Sequence, residues 1–173
     1  MATNIDKFRL QVVLDAIYSN ADDFNNQAVR LKILNQALLD STLTDGTGSS
    51  QIKKIFRDQR TVSAASNDDI DLAGGLVDAF GLTITLTKLR MLLVLNNNTT
   101  AGDVLHIGAA GTNPMSTIFA DTTDKLIVGP SGLALLYSPV DGYTVTGGSA
   151  DVLRIRNPGA NSISYNIYIA GTV

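Results

Sequence analysis

From Thr61 to the end of the chain, apolar and polar residues alternate in short runs, and each run is cut by Gly, Asn, Asp or Pro. In the last run Ile163, Tyr165, Ile167 and Ile169 take one face, while Ser164, Asn166 and Tyr168 take the other. A period of two is the signature of a β-strand, whose successive side chains point to opposite faces. Strands are expected near 61–65, 69–73, 82–95, 103–108, 124–129, 132–137, 143–146, 151–157 and 163–170. The 82–95 run is long for one strand and predicts a bulge or bend near Lys88 to Arg90. Between the runs, Asn96-Asn97-Asn98, Thr99 to Gly102, Ser138 to Gly142 and Asn157-Pro158-Gly159 carry turn chemistry. Many short strands between turns predict a mainly β fold, an antiparallel β-sandwich of jelly-roll-like type, with at most short helices. No sequence repeat stands out.

Residues 1–44 carry two patterns. Phe24, Ala28, Leu31, Leu34 and Leu38 recur at helical spacing, whereas Leu10, Val12, Leu14, Ala16 and Tyr18 alternate, as do Val29, Leu31 and Ile33. The alternation favours two strands with a turn at Asn20 to Asn26; a helical hairpin is the other possibility. Thr44 to Ser50 reads as a turn or linker. Gln51 to Arg60 follows, with Ile52, Ile55 and Phe56 able to form the apolar face of a short helix. The domain reading is an N-terminal arm or accessory strands at 1–44, a linker and short basic segment at 45–60, and a β-sandwich at 61–173. Residues 1–60 packed on the sandwich as one domain is the alternative.

Composition sharpens this picture. All sixteen acidic residues are Asp, and there is no Glu. Glu suits helix interiors and Asp suits caps and turns, so the bias favours strands joined by tight turns. Charged residues make up 17% of the chain, against roughly a quarter in soluble domains, which points to surface covered by other subunits. A compact monomer with an uncharged polar surface is the alternative. A net charge of −3 argues against nucleic acid as a main partner, since phosphate binding needs clustered Lys and Arg. Without cysteine, disulfides and Cys-based metal sites are excluded, in keeping with synthesis in a reducing cytoplasm. Residues 1–10 show no apolar signal core. The longest apolar runs, Met91 to Leu95 and Leu133 to Tyr137, are five residues each, too short to cross a bilayer, so no membrane partner is expected.

Candidate chemistry is sparse. His106 is the only histidine, and no spacing around it supplies a triad or zinc set. Asn67-Asp68-Asp69 with Asp71, and Asp121 with Asp124, offer oxygen ligands for calcium, but they lack the EF-hand's central Gly and closing Glu; turn capping explains them equally well. Gly46-Thr47-Gly48 before Lys53 is a faint phosphate-loop match without the Gly-Lys-Ser/Thr it needs. Gly129 to Gly132 and Gly147-Gly148-Ser149 read as hairpin turns. No catalytic residue, cofactor or metal site is expected. Lys53, Lys54, Arg57 and Arg60 form the only basic cluster. They make either a solvated face or a surface that docks an acidic partner.

The segments Leu43 to Gly48, Ile55 to Val62 and Asp69 to Gly81 resemble a family of small virion proteins of tailed bacteriophages. The segments Gly142 to Thr146, Asp151 to Gly159 and Tyr165 to Gly171 are similar to the same family. The resemblance spans about residues 43–173. It implies a β-sandwich subunit on the particle, in the first place a head decoration (cement) protein, and brings no catalytic residues with it. The expected partners are copies of the chain itself, a homotrimer ahead of a dimer, and the major capsid protein or other virion proteins. The expected location is the head exterior. A tail, neck or fibre component is the next reading, and a carbohydrate-binding β-sandwich module the third.

Overall fold

The computed structural model describes residues 4–21 and 28–173, with side chains described for 4–13 and 39–173. By internal contacts the chain divides into one unit of residues 6–44 and another of 45–173 with 1–5.

The first unit is an antiparallel ribbon. Strand β1 spans Phe8–Ala21 and β2 spans Ala28–Asp45. Phe8 stands opposite Leu43, Val12 opposite Leu39, Ala16 opposite Ile33 and Tyr18 opposite Leu31, with irregularities after Val12 and Leu14. The two-residue alternation prevailed here over the helical spacing, because it brings apolar positions of both strands into the same register. The turn expected at Asn20 to Asn26 falls mostly on 22–27, outside the described residues.

The second unit is built from short strands: β3 (Gln51–Ile52), β4 (Lys54–Val62), β5 (Asn67–Asp71), β6 (Ala73–Val77), β7 (Thr83–Thr85), β8 (Lys88–Asn96), β9 (Leu105–Gly108), β10 (Lys125–Val128), β11 (Leu133–Tyr137), β12 (Tyr143–Thr144), β13 (Val152–Arg156) and β14 (Ile163–Thr172). One sheet runs β11-β8-β14-β4, with β12 also on β8. A second runs β10-β9-β13-β5, and β6 and β7 form a hairpin. Neighbouring strands in these sheets pair antiparallel. A single apolar cluster joins them: Ile163, Tyr165, Ile167 and Ile169 of β14 with Leu92 and Val94 of β8 from one sheet, and Ile70, Ile107, Leu153 and Ile155 from the other. Sealing such aliphatic side chains away from water stabilises by about 1.5–3 kcal/mol each. The protein is therefore an antiparallel β-sandwich, as the alternation predicts. The sheet orders establish the sandwich and leave the jelly-roll-like arrangement unestablished.

Two departures have local causes. The run at 82–95 is two strands, because Leu86 donates its N–H to the Leu72 carbonyl and Thr87 to Thr172, carrying the chain from the hairpin into the main sheet. Within β8 the expected irregularity is present: Ala170 faces Met91 and Gly171 faces Leu89, so Arg90 has no opposite residue. Residues 54–60, where a short basic helix was expected, run together with 61–62, expected as strand, to form β4. All nine residues pair with β14, whose edge a helix would leave without backbone partners.

Polar side chains lace the loops. Arg90 is 2% exposed and donates to the carbonyls of Val140 at 2.6 Å and Gly48 at 2.9 Å, tying two loops together. Elsewhere Asp103 accepts from the Asn98 and Asn161 amides, and the Asn157 amide donates to the Val62, Ser63 and Asn161 carbonyls. Much of the asparagine content is thus consumed in holding turns closed.

Candidate functional site

Strand β4 carries three of the four clustered cations and is the last strand of its sheet, with β14 on one side only. Register settles where its side chains go. Arg60 stands opposite Tyr165, Asp58 opposite Ile167 and Phe56 opposite Ile169. These positions share the core side of the sheet with Lys54 and Val62. Ile55, Arg57, Gln59 and Thr61 take the outer side. Lys53 precedes the strand. The four cations of the expected cluster are therefore divided between faces.

Three of them are also neutralised within the chain. Lys53 Nζ lies 2.6 Å from Asp45. Its ammonium, with the Ile5 N–H, holds the Asp45 carboxyl below the usual range. Lys54 Nζ lies 2.6 Å from Asp78, with both side chains largely buried. Arg60 Nε donates to Asp58 at 3.0 Å, and its NH1 reaches both Asp68 oxygens at 2.9 and 3.1 Å. Burial works against the Arg60 charge, yet Asp68 and Asp58 together raise its pKa above the ordinary value. Arg57 is exposed, and its guanidinium has no ion pair or hydrogen bond among the described residues. It alone of the four keeps an unneutralised charge.

Beside β4 lies an open groove of about 600 Å3, walled by Lys54 to Phe56 on one side and Val77 to Phe80 on the other. The second wall is the turn joining β6 to β7. Asp78 organises it: its Oδ1 accepts the N–H groups of Phe80 at 3.0 Å and Leu82 at 2.9 Å, and its carbonyl accepts from Gly81 at 3.0 Å. Gly81 sits at φ +81°, a conformation that suits glycine. The Lys54 ammonium first, then the Leu82 N–H, hold the Asp78 carboxyl below its usual range. Thus one aspartate fixes the turn and ties it to the edge strand. Phe80, at the tip, is 76% exposed. A shallower groove of about 370 Å3 is lined by Arg57, Gln59, Asn166 and Tyr168 of the outer face together with Asp58.

The remaining candidates fall into structural roles. Asp68 bridges to Arg60 and accepts the Tyr165 hydroxyl at 2.7 Å. Asp69 takes both Nε and NH2 of Arg154 at 2.7 Å. Asp71 and Asp121 accept N–H groups two residues ahead. His106 lies in β9 opposite Ile127 and Arg156; burial first, then the Lys125 and Arg156 charges, lower its pKa. Gly46 and Gly48 belong to a turn in which Gly46 N–H reaches the Ile52 carbonyl and Gly48 N–H the Gln51 side chain. Among the described residues no group of three or more His, Cys, Asp or Glu side chains could hold a metal ion.

Sequence reasoning missed Asp78 and Phe80. A signal was present: Asp78-Ala79-Phe80-Gly81 has the Asx-turn form, and an aromatic inside such a turn has little to pack against. No protein-family model and no curated protein matches the chain.

Proposed function

We propose that the chain is a non-enzymatic structural subunit of a tailed-phage particle, a decoration (cement) protein that binds the outside of the head and stabilises it. The observation that carries this reading is the two-part build: a sandwich with its own core and a ribbon of 14- and 18-residue strands. Two strands alone are marginally stable in water, so a ribbon of this length has its best use laid against another chain. Sparse charge and the virion-family resemblance of residues 43–173 support the same reading. The subunit associates with its own copies, a trimer ahead of a dimer, and clamps the major capsid protein, stabilising the shell by mass action. Of the basic cluster, Arg57 is the member left for a partner's carboxylate. A tail, neck or fibre position is the alternative within the same class.

Co-sedimentation of the purified protein with capsids lacking it tests the proposal. Saturable binding at a fixed ratio to capsid subunits is expected, with Arg57→Asp weakening it and added salt weakening it only modestly, because three of the four cations are already paired. Failure to sediment with capsids while sedimenting with tails moves the protein to the tail; failure with both removes the proposal.

The outer-face groove favours a second reading, a carbohydrate-binding module. Tyr168 offers a ring, and Arg57, Gln59 and Asn166 offer planar hydrogen-bonding groups beside it. Retardation in a gel cast with soluble bacterial polysaccharide, abolished by Tyr168→Ala, supports it. Unretarded migration removes it.

A further inference from the structure

We infer that the groove beside β4 and the β6–β7 turn at its rim form the surface through which one copy of the chain meets another. This deepens the self-association in the proposed function and does not depend on which particle surface the oligomer covers.

The first argument is size. Phe80 is 76% exposed, Val77 52%, Leu82 45% and Ile55 38%, and all four lie in or next to the groove and its turn. An aromatic side chain covers about 150–250 Å2, and aliphatic ones somewhat less, so these four leave on the order of 400 Å2 of apolar surface in water. A patch of that size on a soluble chain is often functional. Since interfaces are about 57% apolar, it corresponds to roughly 700 Å2 of interface per partner, close to the ~800 Å2 of a standard one. The patch is thus large enough to carry a specific contact.

The second argument is self-complementarity. The surface holds both a knob, Phe80, and a hollow of about 600 Å3 with room for a phenylalanine side chain. The backbone that carries the knob is fixed by Asp78, through its bonds to Phe80, Leu82 and Gly81 and its ion pair with Lys54. A fixed turn loses little freedom on association. A buried aromatic anchor ringed by near-neutral contacts is the usual energetic centre of an interface. The third argument is charge. Lys53, Lys54 and Arg57 around the groove are interspersed with Asp45, Asp58 and Asp78, so two copies facing one another meet no field of a single sign. A second copy is therefore the occupant to which the surface itself supplies both halves of the contact.

The test is sedimentation of the full chain across the micromolar range, without capsids. The wild-type protein is expected to form a closed oligomer, its mass giving the number of copies. Phe80→Ser, at a site already exposed, should leave the circular dichroism spectrum and melting temperature unchanged and weaken association at least tenfold; Val77→Lys should act the same way. Ile127→Ser, at a residue 58% exposed on β10, should leave association unchanged. A wild-type chain that stays monomeric overturns both this contact and the self-association it rests on. An oligomer indifferent to Phe80→Ser and Val77→Lys, or weakened equally by Ile127→Ser, overturns this contact alone.

Discussion

Tyr165 has no exposed surface, yet its hydroxyl needs a partner, since a buried unbonded hydroxyl costs about 1–3 kcal/mol. Asp68, from the opposite sheet, supplies it and takes Arg60 as well. Burial first, then the bond to Asp68, push the phenol well above its ordinary pKa. Three side chains thus cross-link the two sheets at the edge of the core. Tyr165→Phe keeps the Arg60–Asp68 pair and should cost about 1 kcal/mol in urea unfolding. Asp68→Ala leaves both Tyr165 and a half-buried Arg60 short of a partner and should cost about 3 kcal/mol; equal costs would show that the network is not coupled. Titration adds a second expectation. Asp45, Asp69, Asp78 and Asp103 all have depressed pKa values in the fold. Their stabilisation is present above the unfolded value of about 3.9 and is lost as pH falls through their lower folded values. His106 is also depressed, so the unfolded chain takes up its proton first, giving a small loss that begins near pH 6.5. Stability measured from pH 8 to 3 should fall in two steps, and His106→Gln should remove only the upper one.

At the scale of elements, the β8–β14 pairing shows what the pattern of residues could and could not reveal. β14 was legible because its faces differ cleanly: Ile163, Tyr165, Ile167 and Ile169 are buried, and Tyr168 between them is exposed. The irregularity at Arg90 was legible because the run at 82–95 is too long for one strand and changes character at Lys88 to Arg90. β4 was not, since its pairing partner lies about a hundred residues away and its core face carries Lys54, Asp58 and Arg60 rather than a hydrophobic stripe. The pairing of the basic cluster was hidden for the same reason: apart from Asp58, the carboxylates that neutralise it, Asp45, Asp68 and Asp78, come from different strands or turns, and nothing local announces them. Phe80 was passed over because hydrophobicity alone does not mark a turn tip, and it lies between the expected strands 69–73 and 82–95. Gly171 gives this scale its test. A Cβ there would lie 2.2 Å from the Lys88 carbonyl, whereas one at Gly129 would meet nothing within 4 Å. Gly171→Ala should cost about 3 kcal/mol and lower the melting temperature by roughly 6–12 °C. Gly129→Ala should leave it unchanged, and equal effects would mean the close approach at β8 relaxes without cost.

At the scale of the whole molecule, the question is what the ribbon contributes. Among the residues whose side chains are described, the apolar cluster that holds the sandwich runs from Val62 to Ile169 and takes none from 6–13 or 39–44. Folding of the body should therefore not need the ribbon. β1 and β2 lie in a sheet whose third strand, β3, is only two residues long, and so narrow a sheet is marginal by itself; under the proposed function its length serves contacts with a partner. Replacing residues 6–44 with a short Gly-Ser linker from Ile5 to Asp45 separates the two roles. The shortened chain should keep a β-type circular dichroism spectrum and unfold in one cooperative step. Its melting temperature should lie within a few degrees of the parent, since about 1 kcal/mol moves a domain of this size by roughly 2–4 °C. Its capsid binding should be lost or fall by more than tenfold, because an extended arm that orders against its partner contributes through many small contacts at once. Loss of cooperative unfolding would make the ribbon part of the folding unit instead. Undiminished capsid binding would move the clamp into the sandwich, onto Arg57 and the outer face of β4.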